Sequence, residues 1–405
     1  MNEQSKIIVG LEIGTTKTCM VVGEIHPDGT SAVIGLGEVP SEGIRAGEIA
    51  DPDLARLNLS DAWQLAQDHA NVDIQSVYLS VTGEHIMGEA GHGFCYLSAE
   101  NDIINQEHIN LVNRHAEEIE LPADRSIICR EMGTYCIDDR DYFYNPIRIR
   151  GRKLAAHSHV IHGNRKRLQN SLLCVRQVPL EIEALAFAPL ATAQLVLGRR
   201  EREDGALLID IGGGTTDFIC YCGGDTIASG CVPHGGNSIN KDIMDLSPTP
   251  MTFEAAESLK CHQGNAFGDV KDTSTANYRD DNGLVYSISR GLLNNIIRDR
   301  LADILQSVKD SIPEHVWSRR GMAVYLSGGT SLMFGLDRLA QFIFKVRVYQ
   351  PAQPGIGADY SYLADPRYCT TIGLIRYALQ YEAENAEPEK PGLLRRIFGI
   401  FRKKR

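Results

Sequence analysis

The sequence predicts an α/β fold made from one unit used twice, two lobes facing each other across a cleft. Two observations carry this. Residues 7–23 read as strand, Gly-Thr turn, strand, and the same grammar returns at 206–222, with Glu12 and Asp210 standing 198 positions apart at the ends of matching strands. The chain has 405 residues, too long for one ordinary core and enough for two to four folding units.

Composition narrows the class. The chain is 43% hydrophobic and 23% charged, a globular mixture that excludes a largely disordered or fibrous chain. Its net charge of −11 argues against general nucleic-acid binding. Residues 391–405 break this balance with six basic residues and no acid, the mark of a tail with its own partner. No apolar signal-peptide core follows Met1, and the longest weakly polar run, 184–197, contains Pro189, Thr192 and Gln194 and is too short to span a bilayer. The ten cysteines form no CxxC pair; Cys220 and Cys222 share one strand face and read as small apolar residues of a sheet. A reduced, cytosolic protein is expected.

The elements follow in order. Strand 7–13 leads into the turn Gly14-Thr15-Thr16-Lys17, then strands 18–23 and 31–39. In the second half, strand 206–211 leads into Gly212-Gly213-Gly214-Thr215-Thr216, then strands 217–222 and 226–233. A hairpin that wraps a phosphate must bring backbone N–H groups close to oxygen, and a Cβ would obstruct that approach, which favours glycine. Threonine hydroxyls add donors. Glu12 and Asp210 cannot bind phosphate directly, but they suit the waters around Mg²⁺, with Asp217 as an assistant. Lys17 reads either as a neutraliser of a β- or γ-phosphate or as a solvated lysine. The bland alternative for both loops is a pair of tight hairpins.

A third element completes the set. Strand 323–327 ends in Gly328-Gly329-Thr330, and a helix is expected from Ser331 with Leu332, Leu336 and Leu339 on one face. Glycines at a strand-to-helix turn let an adenosine pack against backbone. Gly235-Gly236-Asn237 opens a helix over 238–244; it reads as a ribose or α-phosphate contact or as a plain N-cap turn. His157, His159 and His162 look metal-like, but strand alternation puts His162 on the opposite face from the other two.

The end of the chain reads differently. Residues 383–391 are Glu/Pro-rich without an apolar pattern and predict a flexible tether. Beyond it, Leu393, Leu394, Ile397, Phe398, Ile400 and Phe401 share one helical face, with Arg395, Arg396, Arg402 and Lys403 flanking or opposing it. This is the pattern of an interfacial helix on anionic lipid. A helix docked on the body and a basic nucleic-acid tail are the alternatives; the bulky apolar face disfavours the second.

These pieces, in this order, resemble the superfamily of actin, sugar kinases and heat-shock chaperones, matching its two phosphate loops and its adenosine loop. A narrower resemblance is to the FtsA family of bacterial cell-division proteins. It rests on Gly10-Leu11-Glu12-Ile13-Gly14-Thr15, Ser76-Val77-Tyr78-Leu79-Ser80, Gly83-Glu84-His85-Ile86 and Asp210-Ile211-Gly212-Gly213-Gly214-Thr215. Glu12, where most of the superfamily has Asp, also fits that family. The resemblance implies an actin-like (ribonuclease H-like) duplicated fold around a nucleotide cleft, with an FtsA-type inserted subdomain, 1C. In these terms 1–82 and 162–198 form subdomain 1A, 83–161 is 1C, 199–247 and 320–372 form 2A, and 248–319 is 2B. Residues 373–382 are the closing helix of 1A, 383–391 the linker and 392–405 the membrane helix. Within 1C, strands are expected at 127–131 and 135–137 around a helix at 106–118, with 156–161 returning to the sheet. Helices are expected at 165–174, 180–197 and 289–312, and a polar loop at 271–283.

The implied function is an ATP- and Mg²⁺-binding protein that polymerises on the cytoplasmic face of the membrane at the division site. It would tether the ring protein FtsZ, whose C-terminal tail would dock on 2B, where Arg298 and Arg300 are candidates for the contact. Its partners would be FtsZ, further copies of itself, anionic lipid and other division proteins, with no nucleic acid. Alignment with the superfamily puts Ala188 where efficient hydrolysers place Glu or Gln, with Glu181 and Glu183 nearby but earlier. At most a slow ATPase is therefore expected, not a metabolic enzyme. The alternatives are a small-molecule kinase, disfavoured because no Asp is well placed to deprotonate a sugar hydroxyl, and a pilus-assembly scaffold, expected to lack the lipid-binding tail.

Overall fold

A computed structural model describes residues 5–385 apart from 29, 99, 101, 281–282 and 351–364. The predicted membrane helix 392–405 and most of the predicted linker lie outside the described residues.

The chain opens with an antiparallel hairpin, β1 (Lys6–Ile13) and β2 (Lys17–Ile25), in which Glu12 stands opposite Cys19. β3 (Ser31–Pro40) extends it. A short hairpin, β4 (Ile44–Arg45) and β5 (Glu48–Ile49), precedes α1 (Pro52–Ala70). The Asp51 carboxylate caps α1 by accepting the amides of Asp53 and Leu54, and Pro52 starts the helix where its missing N–H costs nothing. Ala62 and Ala66 let α1 lie directly on β3: a Cβ at Gly37 would sit 2.0 Å from the Ala62 carbonyl oxygen. β6 (Ser76–Val81) then runs parallel to β1, with Glu12 beside Ser80.

The insertion follows: β7 (Met87–Tyr96), α2 (Gln106–Glu117), β8 (Arg125–Ile137), β9 (Asp141–Phe143) and β10 (Lys153–Asn164). Its strands form a separate antiparallel sheet in the order β7-β10-β8-β9, with its own small core around Val112, Ala116, Leu154 and Ala156. The chain returns through α3 (Arg165–Arg176) to β11 (Glu181–Phe187), which joins β6 in parallel, then α4 (Ala188–Val196) and α5 (Arg199–Asp204).

The second lobe repeats the first. β12 (Ala206–Ile211), β13 (Thr216–Cys222) and β14 (Asp225–Val232) form the antiparallel run. α6 (Gly236–Leu246), α7 (Phe253–Gln263), β15 (Thr275–Arg279), β16 (Val285–Ser289), α8 (Arg290–Asp310) and α9 (Glu314–Trp317) follow. β17 (Ala323–Ser327), α10 (Leu336–Phe344) and β18 (Arg347–Tyr349) complete it, and the chain then returns to the first lobe as α11 (Cys369–Asn385). The sheets have the same order, β11-β6-β1-β2-β3 and β18-β17-β12-β13-β14, with the same parallel and antiparallel pairings. Asp210 stands opposite Asp217 and beside Ser327, as Glu12 stands opposite Cys19 and beside Ser80. α11 rests on β1 and β6, α4 rests on β12 and β13, and the two helices pack together between the sheets. Their crossing requires Gly373, where a Cβ would lie 2.1 Å from the Ala191 carbonyl oxygen.

Several expectations need correction. The helix expected over 180–197 is a strand, β11, followed by α4. Proline inside a helix removes a hydrogen bond and clashes with the preceding turn, so Pro189 can only sit at a helix start, and α4 begins at Ala188. The two strands expected at 127–131 and 135–137 are one strand, β8, bulged between Met132 and Tyr135. The helix expected from Ser331 is a 3₁₀ turn, Gly329–Leu332, and α10 starts only at Leu336. Leu336 and Leu339 are buried, but Leu332 is 56% exposed. The middle of the polar loop 271–283 is β15, a strand of five residues whose alternate residues Ala276 and Tyr278 are buried against the second core. The closing helix begins at Cys369, and its end at Asn385 reaches into the stretch read as linker.

Candidate functional site

The two Gly-Thr hairpins meet tip to tip between the lobes. Each is closed by the same hydrogen bond, from the Gly14 amide to the Lys17 carbonyl and from the Gly212 amide to the Thr215 carbonyl, both 2.9 Å. A Cβ at Gly214 would lie 2.2 Å from Thr15 Oγ1, and one at Gly213 would lie 2.2 Å from Thr16 Cγ2. Only glycine permits this approach. The amides of Thr15, Thr16, Gly213 and Gly214 make no hydrogen bond among the described residues. Four unspent donors at the tips of facing turns form a nest for anionic oxygen.

The hairpins border a cleft of about 530 Å³, within the range of small-molecule sites. Glu12, Lys17, Asp210, Gly236, Asn237, Gly328, Gly329 and Thr330 line it together with both hairpins. Gly328 has φ +82°, and a Cβ there would lie 2.4 Å from Asp210 Oδ1. Two predicted residues stand back. Thr216 is fully buried and donates its hydroxyl to the His234 carbonyl. Gly235 packs behind the second hairpin against Gly212. The amides of Gly236 and Asn237 are donated to the Gly212 and Gly213 carbonyls, so the start of α6 braces the hairpin.

The cleft is strongly acidic at its floor. Burial, then Glu12 and Asp217, push the Asp210 carboxyl up to about 7; burial pushes Asp217 up to about 6. Burial works against the charge of Lys17, but Glu12, 2.5 Å away, more than offsets this and holds the ammonium above its ordinary range. A buried cleft that gathers three carboxylates, with Asp210 raised by the other two, suits a cation between them. Among the described residues no group of three His, Cys, Asp or Glu could cage a metal directly. The donors fit an ion such as Mg²⁺ that keeps its waters and takes few protein ligands.

Sequence reasoning missed several residues. Lys260 on α7 is 5% exposed and reaches the Gly236 carbonyl at 3.2 Å and Glu257 at 2.6 Å; all three residues line the cleft. An i, i+3 Glu–Lys pair on a helix reads as a surface pair, and nothing local marks it as buried. Thr82, Thr192, Thr370 and Thr371, which hold the acids, also carry no motif. Ala188 lines the cleft as a bare methyl. Arg300 is committed to Asp242 by a two-pronged ion pair. The histidines have separate partners: His157 faces Asp225, His159 faces Ser229, and His162 accepts from Arg125.

A family model described as cell division protein FtsA matches residues 207–373, and a model of the SHS2 domain inserted in FtsA matches residues 83–162. Cell division protein FtsA of Neisseria meningitidis serogroup B is 30% identical over 410 residues, covering 98% of this chain and 96% of that protein. This chain belongs to the FtsA family. FtsA of Escherichia coli K12 is 31% identical over 95% of this chain and 93% of its own length; FtsA of Bacillus subtilis is 29% identical over 92% and 84%. Solved structures show the fold to be actin-like. A PilM–PilN type IV pilus biogenesis complex matches with TM-score 0.63 at 17% identity, covering 92% of this chain and 98% of that one. MreB5 of Spiroplasma citri bound to ADP matches with TM-score 0.55 at 16% identity, covering 94% and 99%. In this FtsA-family chain the insertion is β7 to β10, and the duplicated sheets are the actin-like lobes.

Proposed function

We propose that this chain binds ATP with Mg²⁺ in the cleft, polymerises with copies of itself, and holds the FtsZ ring to the cytoplasmic face of the membrane through its C-terminal amphipathic helix. The observation that carries nucleotide binding is the pair of facing hairpins, with four unspent amides above Glu12 and Asp210. Family membership supports the cell-division role, and MreB5 of Spiroplasma citri has been solved with ADP and with AMPPNP in the same fold.

The residues divide the work. The free amides of Thr15, Thr16, Gly213 and Gly214 take phosphate oxygens, and Lys17, which lines the same cleft, adds positive charge. Glu12 and Asp210 hold cation-bound waters from opposite lobes. A divalent cation there supplies positive charge between the phosphates and these two acids. In this reading Glu257 and Lys260, which line the cleft, take the ribose, and the Gly328–Gly329 backbone takes the base. Ala188 presents no group to orient an attacking water, and Asp217 is engaged by the hydroxyls of Thr82 and Thr215, so ATP would be held much longer than it is turned over.

The tail's chemistry supplies the anchor. Each basic residue near an anionic surface contributes about 1 kcal/mol, and a helix this short is marginal alone in water. Single anchors bind reversibly, and a filament presenting many would hold by avidity. The pilus structure shares the fold, while the sequence relatives and the 393–405 pattern favour the tether. The test is co-sedimentation with anionic vesicles, with and without ATP, imaged by electron microscopy. ATP-dependent filaments on vesicles are expected for the full chain, and loss of sedimentation with retained ATP binding after removal of 391–405. Equal sedimentation by both would refute the anchor.

A further inference from the structure

Glu12 and Asp210 ride on different lobes, so neither sheet alone fixes how the two carboxylates face each other. One helix reaches both. α11 begins at Cys369, which puts Thr370 and Thr371 in its first turn, about 100° apart around the axis. Thr371, fully buried, donates to Glu12 Oε2 at 2.9 Å. Thr370, 5% exposed, donates to Asp210 Oδ2 at 3.0 Å. Adjacent residues of one element thus hold the equivalent acids of both lobes.

The hydroxyls also select which oxygen is used. Glu12 Oε2 takes Thr371 and Lys17, and Asp210 Oδ2 takes Thr370; the Thr192 hydroxyl of α4 stands 3.1 Å from the same oxygen, 2.9 Å from Thr370 Oγ1 and 3.1 Å from the Ala188 carbonyl, sharing its one proton among them. Glu12 Oε1 and Asp210 Oδ1 have no hydrogen bond among the described residues. Oε1 lies 3.6 Å from where a Cβ on Gly14 would be, and Oδ1 lies 2.4 Å from that of Gly328. The unheld oxygen of each acid therefore lies beside a glycine that lines the cleft. The helix cannot easily shift to undo this, because Gly373 is locked against Ala191.

We propose that Thr370 and Thr371 are a positioning pair, presenting Asp210 Oδ1 and Glu12 Oε1 to the waters of the cleft's cation. This rests on the reading of the cleft as a Mg-nucleotide site. Packing is the rival explanation for two buried threonines, and valine separates the two, since it keeps the shape and removes only the hydroxyl.

The test is ADP binding to the full chain by calorimetry, from excess EDTA to saturating Mg²⁺, for wild type, Thr370→Val, Thr371→Val and Thr371→Ser. Each valine variant should raise the Mg²⁺ level for half-maximal binding by about tenfold, the size of one hydrogen bond to a charged group. ADP affinity in EDTA should stay unchanged, and the serine variant should restore the wild-type midpoint. Unmoved midpoints in both valine variants, or equal losses in EDTA and in Mg²⁺, would overturn the positioning pair while leaving the nucleotide site standing. A wild type that binds no ADP at any Mg²⁺ level would overturn both.

Discussion

Thr82, at the end of β6 in the first lobe, donates its hydroxyl to Asp217 in the second, 2.6 Å from each carboxylate oxygen. It is a direct polar latch between the lobes, made at the back of the cleft and closed over by Gly47, where a Cβ would lie 2.5 Å from Thr82 Cγ2. Thr82→Val should leave Asp217, only 5% exposed, with Thr215 as its remaining hydroxyl donor. A buried carboxylate that loses its closest donor costs about 1–3 kcal/mol. Urea unfolding of nucleotide-free protein should show that loss, and Thr82→Ser should recover most of it.

Glu131 predicts a larger effect. This carboxylate of the inserted sheet accepts from Arg202, Tyr221 and Thr226 of the second lobe. The neighbouring bulge in β8 frees the Thr134 amide to reach Asp225 at 2.5 Å. The insertion is thereby fastened to the lobe into which it is not inserted. Removing one partner of a buried ion pair costs about 3–5 kcal/mol. Glu131→Ala should destabilise the chain by that order in equilibrium unfolding and raise amide exchange in β14, whereas a change confined to β8 would contradict the fastening.

The pH response should carry two opposite signatures. Burial lowers His159 to about 4, so the unfolded chain binds a proton first as pH falls. Stability from neutral His159 is therefore complete above about 6.5 and is lost from there towards 4. Asp210 is raised to about 7, so its ionisation is harder in the folded state, and the cation-free protein loses stability as pH rises from about 4 to 7. His159→Gln should flatten the acid loss, and Asp210→Asn should flatten the rise-dependent loss, each by about 1–3 kcal/mol. Unfolding curves from pH 4 to 8 in EDTA measure both, and parallel curves for the two variants would contradict the assignment.

The two Gly-Thr hairpins were legible in the sequence because their closure is local: the Gly14 amide bonds Lys17 and the Gly212 amide bonds Thr215, each three residues on, whereas the need for glycine at Gly214 comes from Thr15 of the facing hairpin. The repeat by itself makes Glu12 and Asp210 equivalent. What sequence could not show is what depends on distant packing. β11 was hidden because residues 184–191 are apolar without a break, and an apolar run has no period to separate strand from helix. Lys260, Thr370 and Thr371 become site residues only when helices far apart in the chain converge on one cleft. The bulge in β8 showed as the gap between two expected strands, but its purpose, docking Asp225, lies in the other lobe.

The most direct test of the central claim is ATP affinity measured by calorimetry for the full chain and for Asp210→Ala, each with Mg²⁺ and with EDTA. The wild type should bind ATP, more tightly with Mg²⁺, and Asp210→Ala should lose about tenfold or more of its affinity in Mg²⁺ and little in EDTA. Equal ATP affinity of the two proteins in Mg²⁺, or a wild type that binds none, would contradict it.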